Sequence, residues 1–162
     1  MRWLCVSLLC LALLAAAPNL QAADGPIVAL QAKPQTVSAA PGGSLQLDLV
    51  LTIAPKFHIN GPSAGDAGLI PTKIALTAPE GLSFAAPVYP KAKEVRVQFA
   101  DKPVEMYGGQ VVVRLSGKAA KGMKPGVYPV TARVSYQACD DMVCHMPGAA
   151  ELSFQVKVAP KP

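Results

Sequence analysis

Two cysteines, Cys139 and Cys144, stand with four residues between them in the stretch Tyr136-Gln-Ala-Cys-Asp-Asp-Met-Val-Cys-His-Met-Pro147. A thiol pair this close can close into a disulfide, and the ring then serves either as a staple or as a redox group. As a staple it is modest: chain entropy assigns a six-residue ring about 2 kcal/mol, less than a longer loop would give. A secreted domain that relied on disulfides for stability would be expected to join distant strands with several of them. Exchange chemistry instead needs one accessible sulfur that can ionise.

The neighbouring charges make the two sulfurs unequal. His145 follows Cys144, and an imidazolium there would favour a thiolate; Asp140 and Asp141 follow Cys139 and would oppose one. Cys144 is therefore expected to exchange with partners and Cys139 to resolve. Tyr136, Asp140, Asp141 and His145 are the candidate modulators around the pair. Cys139 shares the parity of the polar face of the strand running into it, which predicts that it points away from the core. Two other readings stay open. Cys139, Met142, Cys144, His145 and Met146 form a soft donor set suited to Cu(I). Alternatively, the disulfide pins a recognition loop in a binding module without catalysis. Zinc fits less well, because paired Cys-x₂₋₄-Cys sets are missing. His58 could be a ligand or a base, but a single His in a β-loop is ordinarily a hydrogen-bonded structural residue. No Ser/His/Asp set, carboxylate pair or phosphate loop stands out, and the residues call for no cofactor.

The elements that must position this pair read as strands. Ser44 to Ile53 alternates, with Leu45, Leu47, Leu49, Leu51 and Ile53 on one face and Gln46, Asp48 and Thr52 on the other. Tyr128, Val130, Ala132, Val134, Tyr136 and Ala138 form the core face of the strand entering the cysteine stretch. Leu152, Phe154, Val156 and Val158 form that of the strand leaving it, so the pair is expected at a hairpin end. Shorter strands are expected over 27–32, 72–77, 81–84, 95–99, 104–107 and 110–116, punctuated by Pro and Gly. Lys91 to Glu94 reads as a surface crossing. No segment shows a sustained helical period. The pattern predicts an all-β, immunoglobulin-like sandwich; without a Cys…Trp…Cys arrangement it is not an antibody-type domain.

The N-terminus sets the compartment. Met1-Arg2-Trp3, the apolar run Leu4 to Ala17 and the small-residue site ending at Ala22 read as a secretory signal peptide over 1–22, leaving one domain over 23–162. Cys5 and Cys10 leave with the signal, so Cys139 and Cys144 are the only cysteines of the expected mature chain. Without Arg2 the formal charge of +5 becomes +4, carried on scattered lysines. That charge suits solubility with a slight preference for acidic partners, and nucleic-acid binding is not expected. No other stretch is long and apolar enough to span a membrane as a helix.

Several motifs together resemble the N-terminal periplasmic domain of the thiol:disulfide interchange protein DsbD. Tyr136-Gln-Ala-Cys…Cys-His-Met-Pro147 resembles that family's redox segment. Phe57-His58-Ile59-Asn60 with Leu69-Ile70-Pro71-Thr72 resembles its early signature, and Tyr89-Pro90, Phe99 and Glu105-Met106-Tyr107-Gly108 its middle portion. The resemblance implies an immunoglobulin-like sandwich whose Cys139–Cys144 pair cycles between dithiol and disulfide. It implies thioredoxin-fold partners, a donor on one side and disulfide-bearing acceptors on the other, among them periplasmic isomerases and cytochrome c maturation proteins. It also implies that Cys144 forms the mixed disulfide and that Phe99 caps the pair. Two features depart from the family pattern. The spacing is four residues where better-known members have five, and the chain ends at Pro162 with neither membrane nor thioredoxin-like domain. Either its electrons are expected to come from a separate protein, or the chain does a different job on the same scaffold.

Overall fold

The structure is a computed structural model that describes residues 25–97, 100 and 102–160. The expected signal peptide lies outside the described residues. Twelve strands are formed among them: β1 (Val28–Lys33), β2 (Thr36–Ala39), β3 (Ser44–Ile53), β4 (His58–Asn60), β5 (Lys73–Thr77), β6 (Leu82–Phe84), β7 (Lys93–Val95), β8 (Val104–Tyr107), β9 (Gln110–Ala119), β10 (Gly126–Tyr136), β11 (Ala138–Cys139) and β12 (Gly148–Val158). The helical content among the described residues is a single 3₁₀ turn, Ala64–Ala67.

Two four-stranded sheets make the sandwich, one ordered β1-β3-β9-β6 and the other β2-β12-β10-β5. The alternation of β3 is reproduced: Leu45, Leu47, Leu49, Leu51 and Ile53 are all buried. They meet Val130, Ala132, Val134, Phe154, Val156 and Val158 from the facing sheet in one continuous core. Burying a side chain of this size stabilises the fold by about 1.5–3 kcal/mol. This core, with no contribution from the cysteines, is what holds the domain together. Phe84 closes one side, set edge-on against Phe154 with ring centroids 6.1 Å apart. β1 and β2 divide between the sheets, β2 running parallel to β12, and the cis Lys33–Pro34 bond lies at that crossing.

A third, smaller sheet, β11-β4-β8-β7, carries the cysteines. Its strands are short, and their register sets Ala138 opposite Ile59, Ile59 opposite Tyr107, and Val95 opposite Val104. Of the strand expected over 95–99, residues 98 and 99 lie outside the described residues, and among the described ones the strand is Lys93–Val95. The ladder with β8 begins at Lys93, inside what reads from sequence as a surface crossing. Val95 and Val97 nevertheless keep their inward alternation and pack into a small second core with Ala64, Leu69, Val104 and Met106. Gly108 and Gly109 carry the chain from this sheet into β9. Gly109 adopts φ +66°, a conformation glycine tolerates without a Cβ penalty. At Gly108 a Cβ would lie 3.0 Å from the His58 ring.

Candidate functional site: a disulfide at the hairpin end

β10 and β12 pair antiparallel from Gly126 opposite Val158 to Tyr136 opposite Gly148, and the cysteine stretch is the excursion at the end of that hairpin. Tyr136 is buried at its base with its ring over Gly148. Cys139 and Cys144 are joined in a disulfide, with Cα atoms 3.9 Å apart. A narrow turn surrounds it. The Asp140 N–H donates to the Val143 carbonyl at 3.0 Å, and the His145 N–H donates to the Ala138 carbonyl at 2.7 Å. The two cysteines thus face each other as a pair with no hydrogen bond directly between them, where side chains approach most closely.

The two sulfur-bearing residues differ in exposure, but in the sense opposite to the parity argument for Cys139. Cys139 is 1 % exposed. β10 ends at Tyr136, and after Gln137 the chain joins a different sheet, where Cys139 lies opposite His58 on β4. The inward-outward count therefore restarts, and Cys139 enters the second core with Ala64, Val104 and Met106. Cys144 is half-buried at the rim of that cluster. Around it stand Met142, Val143 and Met146, exposed by 71 %, 54 % and 89 %.

The charges are also arranged differently from the expectation. Asp140 does not simply face Cys139. Its Oδ1 accepts from the Met142 and Val143 N–H groups at 2.8 and 2.9 Å, and its Oδ2 lies 2.8 Å from His145 Nε2. The backbone bonds from Val143 and Met142, followed by the bond with His145, lower the Asp140 carboxyl to about 2. His145 is held from its other side by Phe57, whose ring stands edge-on with centroids 5.4 Å apart. A cation at His145 is thus paired within the loop rather than free to act on Cys144 alone. Asp141 is exposed on the turn. Phe99, the expected cap, lies outside the described residues. The soft donor set is not assembled as a thiolate site, because both sulfurs are engaged with each other. Among the described residues no group of three His, Cys, Asp or Glu side chains is placed to hold a metal.

One neighbour was missed by reasoning from the cysteine stretch. Asn60, at the end of β4, is completely buried, and its Oδ1 lies 3.9 Å from Cys139 Sγ. Its Nδ2 donates to the Ile70 carbonyl at 2.9 Å and to Gln137 Oε1 at 3.4 Å, and its own carbonyl accepts from Thr72 Oγ1 at 2.6 Å. The available signal was a polar amide ending the strand-like run Phe57-His-Ile-Asn60; a buried amide requires partners, and here Ile70 and Gln137 supply them through Nδ2 while Oδ1 faces Cys139.

The family model described as thiol:disulfide interchange protein DsbD, N-terminal, matches residues 27–155. Among solved structures, the reduced DsbD N-terminal domain of Neisseria meningitidis is 17 % identical, with 79 % of this chain and 85 % of that one covered and a TM-score of 0.44. The N-terminal periplasmic domain of ScsB from Proteus mirabilis is 16 % identical over 84 % of this chain and 48 % of its own, with a TM-score of 0.51. The complex between the DsbD and PilB N-terminal domains of Neisseria meningitidis matches at 15 % identity, 72 % and 77 % coverage, and a TM-score of 0.44. No curated protein matches the chain. With a family model spanning most of its length, an all-β sandwich and a disulfide at the hairpin end, the chain belongs to the family of the N-terminal domain of the thiol:disulfide interchange protein DsbD.

Proposed function

We propose that this is a periplasmic thiol–disulfide exchange domain, of protein-disulfide reductase type. It passes electrons from a thioredoxin-like donor to oxidised periplasmic proteins through a reversible Cys139–Cys144 disulfide. The observation that carries this reading is the unequal setting of the two cysteines, with Cys139 1 % exposed and Cys144 half-buried at the tip of a hairpin. A disulfide sulfur must be reached along the S–S axis by an incoming thiolate, and only the sulfur nearer solvent can be so approached. Cys144 is the sulfur that forms the mixed disulfide, and Cys139 resolves it. The apolar rim of Met142, Val143 and Met146 suits a partner that brings its own cysteine to an apolar surface. Thioredoxin-fold proteins are the partner class; the solved Neisseria DsbD N-terminal domain in complex with a PilB N-terminal domain supports a protein partner for the family. Segment 1–22 serves as the signal that delivers the domain to an oxidising compartment, where a disulfide can persist and cycle.

Replacing Cys139 with Ser leaves a mixed disulfide at Cys144 with no thiol to resolve it. Mixed disulfides with thioredoxin-fold proteins should then accumulate through Cys144 and should be absent from Cys144→Ser. Absence of such adducts, together with a wild-type disulfide that resists thioredoxin-type reductants, would replace this reading with that of a binding module whose loop is pinned by the disulfide.

A further inference from the structure

Asn60 is tied to the disulfide by a short relay of amides whose direction is fixed at its ends. The His145 carbonyl can only accept, so Gln137 presents Nε2 to it, at 3.2 Å. Gln137 must then offer Oε1 to Asn60, which meets it with Nδ2 at 3.4 Å. The Ile70 carbonyl, 2.9 Å from the same Nδ2, imposes the same orientation independently. Turning the Asn60 amide over would set oxygen against oxygen at both contacts. Its Oδ1 is therefore directed at Cys139 Sγ, 3.9 Å away, in a site closed to water.

An acceptor oxygen facing a buried sulfur is useful only when that sulfur bears a proton. In the disulfide Sγ has none; in the dithiol the Cys139 S–H can donate to Oδ1, whereas a thiolate there would meet the oxygen's negative end. The rest of the surroundings point the same way, since Cys139 packs among Ala64, Val104 and Met106. The titratable groups nearby are His58 opposite it on β4, Asp140, Asp141, Cys144 and His145 on its own loop, and Glu105 on β8, with Asp141 exposed to solvent. Asp140 and His145 are paired with each other, and Glu105 accepts a hydrogen bond from Ser63.

We infer that Asn60 is the hydrogen-bond acceptor that keeps Cys139 a protonated thiol in the reduced protein, and so assigns attack to Cys144 and resolution to Cys139. The inference rests on the exchange reading above and specifies how its two sulfurs are told apart. In the step concerned, the Cys144 thiolate attacks a partner disulfide; a Cys144–partner S–S bond forms, and the partner's other sulfur leaves as a thiolate. Cys139 then yields its proton to that thiolate and attacks Cys144 Sγ. The intramolecular S–S bond forms, the mixed disulfide breaks, and the partner's second sulfur departs as a thiolate. Two electrons have moved from the cysteine pair to the partner. Because the S–H to Oδ1 bond exists only in the dithiol, Asn60 also favours the reduced state.

The test is titration of both cysteines in the reduced protein, followed through their ¹³Cβ shifts, with the thiol–disulfide equilibrium measured against glutathione. In the wild type Cys139 should titrate at higher pH than Cys144. Asn60→Ala should lower the Cys139 midpoint by about one pH unit and shift the equilibrium about fivefold toward the disulfide, the worth of one ordinary hydrogen bond. Asn60→Asp keeps the shape and an acceptor oxygen at the sulfur whether its carboxyl is neutral or ionised, and should hold that midpoint at or above the wild-type value. A midpoint that falls in Asn60→Ala and does not fall in Asn60→Asp excludes a merely structural role, which would move both alike. The inference is overturned if Cys139 is the more acidic cysteine in the wild type, or if its midpoint is unchanged in Asn60→Ala. Should the alanine variant not fold, a midpoint that falls in Asn60→Asp, where the acceptor oxygen is kept, overturns it equally. None of these readouts involves a partner, so absence of trapped mixed disulfides would refute the exchange reading while leaving this result standing.

Discussion

Asp140 Oδ2 and His145 Nε2 meet at 2.8 Å across the turn that carries the disulfide. The same carboxylate accepts the Met142 and Val143 N–H groups, so one side chain ties together the second half of the turn and the first residue after Cys144. The turn is short and exposed, and the ionised form of that carboxylate is the one its backbone bonds favour.

The pH dependence of the turn follows. The carboxyl of Asp140 is depressed from 3.8 to about 2, chiefly by the Val143 and Met142 backbone bonds. A depressed carboxyl contributes stability that is complete above its ordinary value and is lost as pH falls through the depressed one. The turn should therefore be unchanged at neutral pH and loosen between about pH 4 and pH 2. The amide resonances of Met142 and Val143 should move with a midpoint near 2, and Asp140→Ala should abolish that titration and speed their hydrogen exchange at neutral pH. A midpoint at the ordinary carboxylate value would show that the carboxylate does not hold the turn.

Reduction should leave the sandwich folded. The six-residue ring contributes about 2 kcal/mol, against about 5–15 kcal/mol for a domain of ordinary stability. Thermal unfolding of the dithiol form, followed by circular dichroism, should show one cooperative transition lowered by about 5–10 °C. Loss of the folded baseline on reduction would make the disulfide a structural staple after all.

In the reduced protein the two thiols should be modified at very different rates. Cys139 is 1 % exposed and Cys144 lies at the rim, so iodoacetamide should label Cys144 faster by about tenfold or more, as read by peptide mass spectrometry. Equal labelling would remove the basis for assigning Cys144 as the exchanging sulfur.

Core and rim should separate cleanly under mutation. Phe154→Ala, in the centre of the sandwich, should cost about 3–5 kcal/mol in denaturant unfolding. Met146→Ala, at an exposed side chain, should stay within about 0.5 kcal/mol of wild type while slowing disulfide exchange with thioredoxin. Unchanged exchange in that variant would show that the apolar rim takes no part in meeting a partner.

Much of this protein is determined by its sequence alone, wherever the information is local. The period-two alternation of Ser44 to Ile53, Gly126 to Tyr136 and Gly148 to Val158 specifies which face is buried, because successive side chains on a strand point to opposite sides. The same alternation places Cys139 and Cys144 at a hairpin end, and five residues of separation bring them within bonding reach. What the tertiary structure alone decided is which way each sulfur faces and what faces it. Parity continued from β10 sets Cys139 outward, but the chain leaves that sheet at Gln137 and pairs with β4, so the sheet it joins determines its burial. Asn60 reaches the same sulfur from 79 residues away. Its approach requires β4, β8 and β11 to assemble into a third sheet of very short strands. Strands this short carry too few residues for a legible period, and their partners are chosen by packing against the rest of the fold.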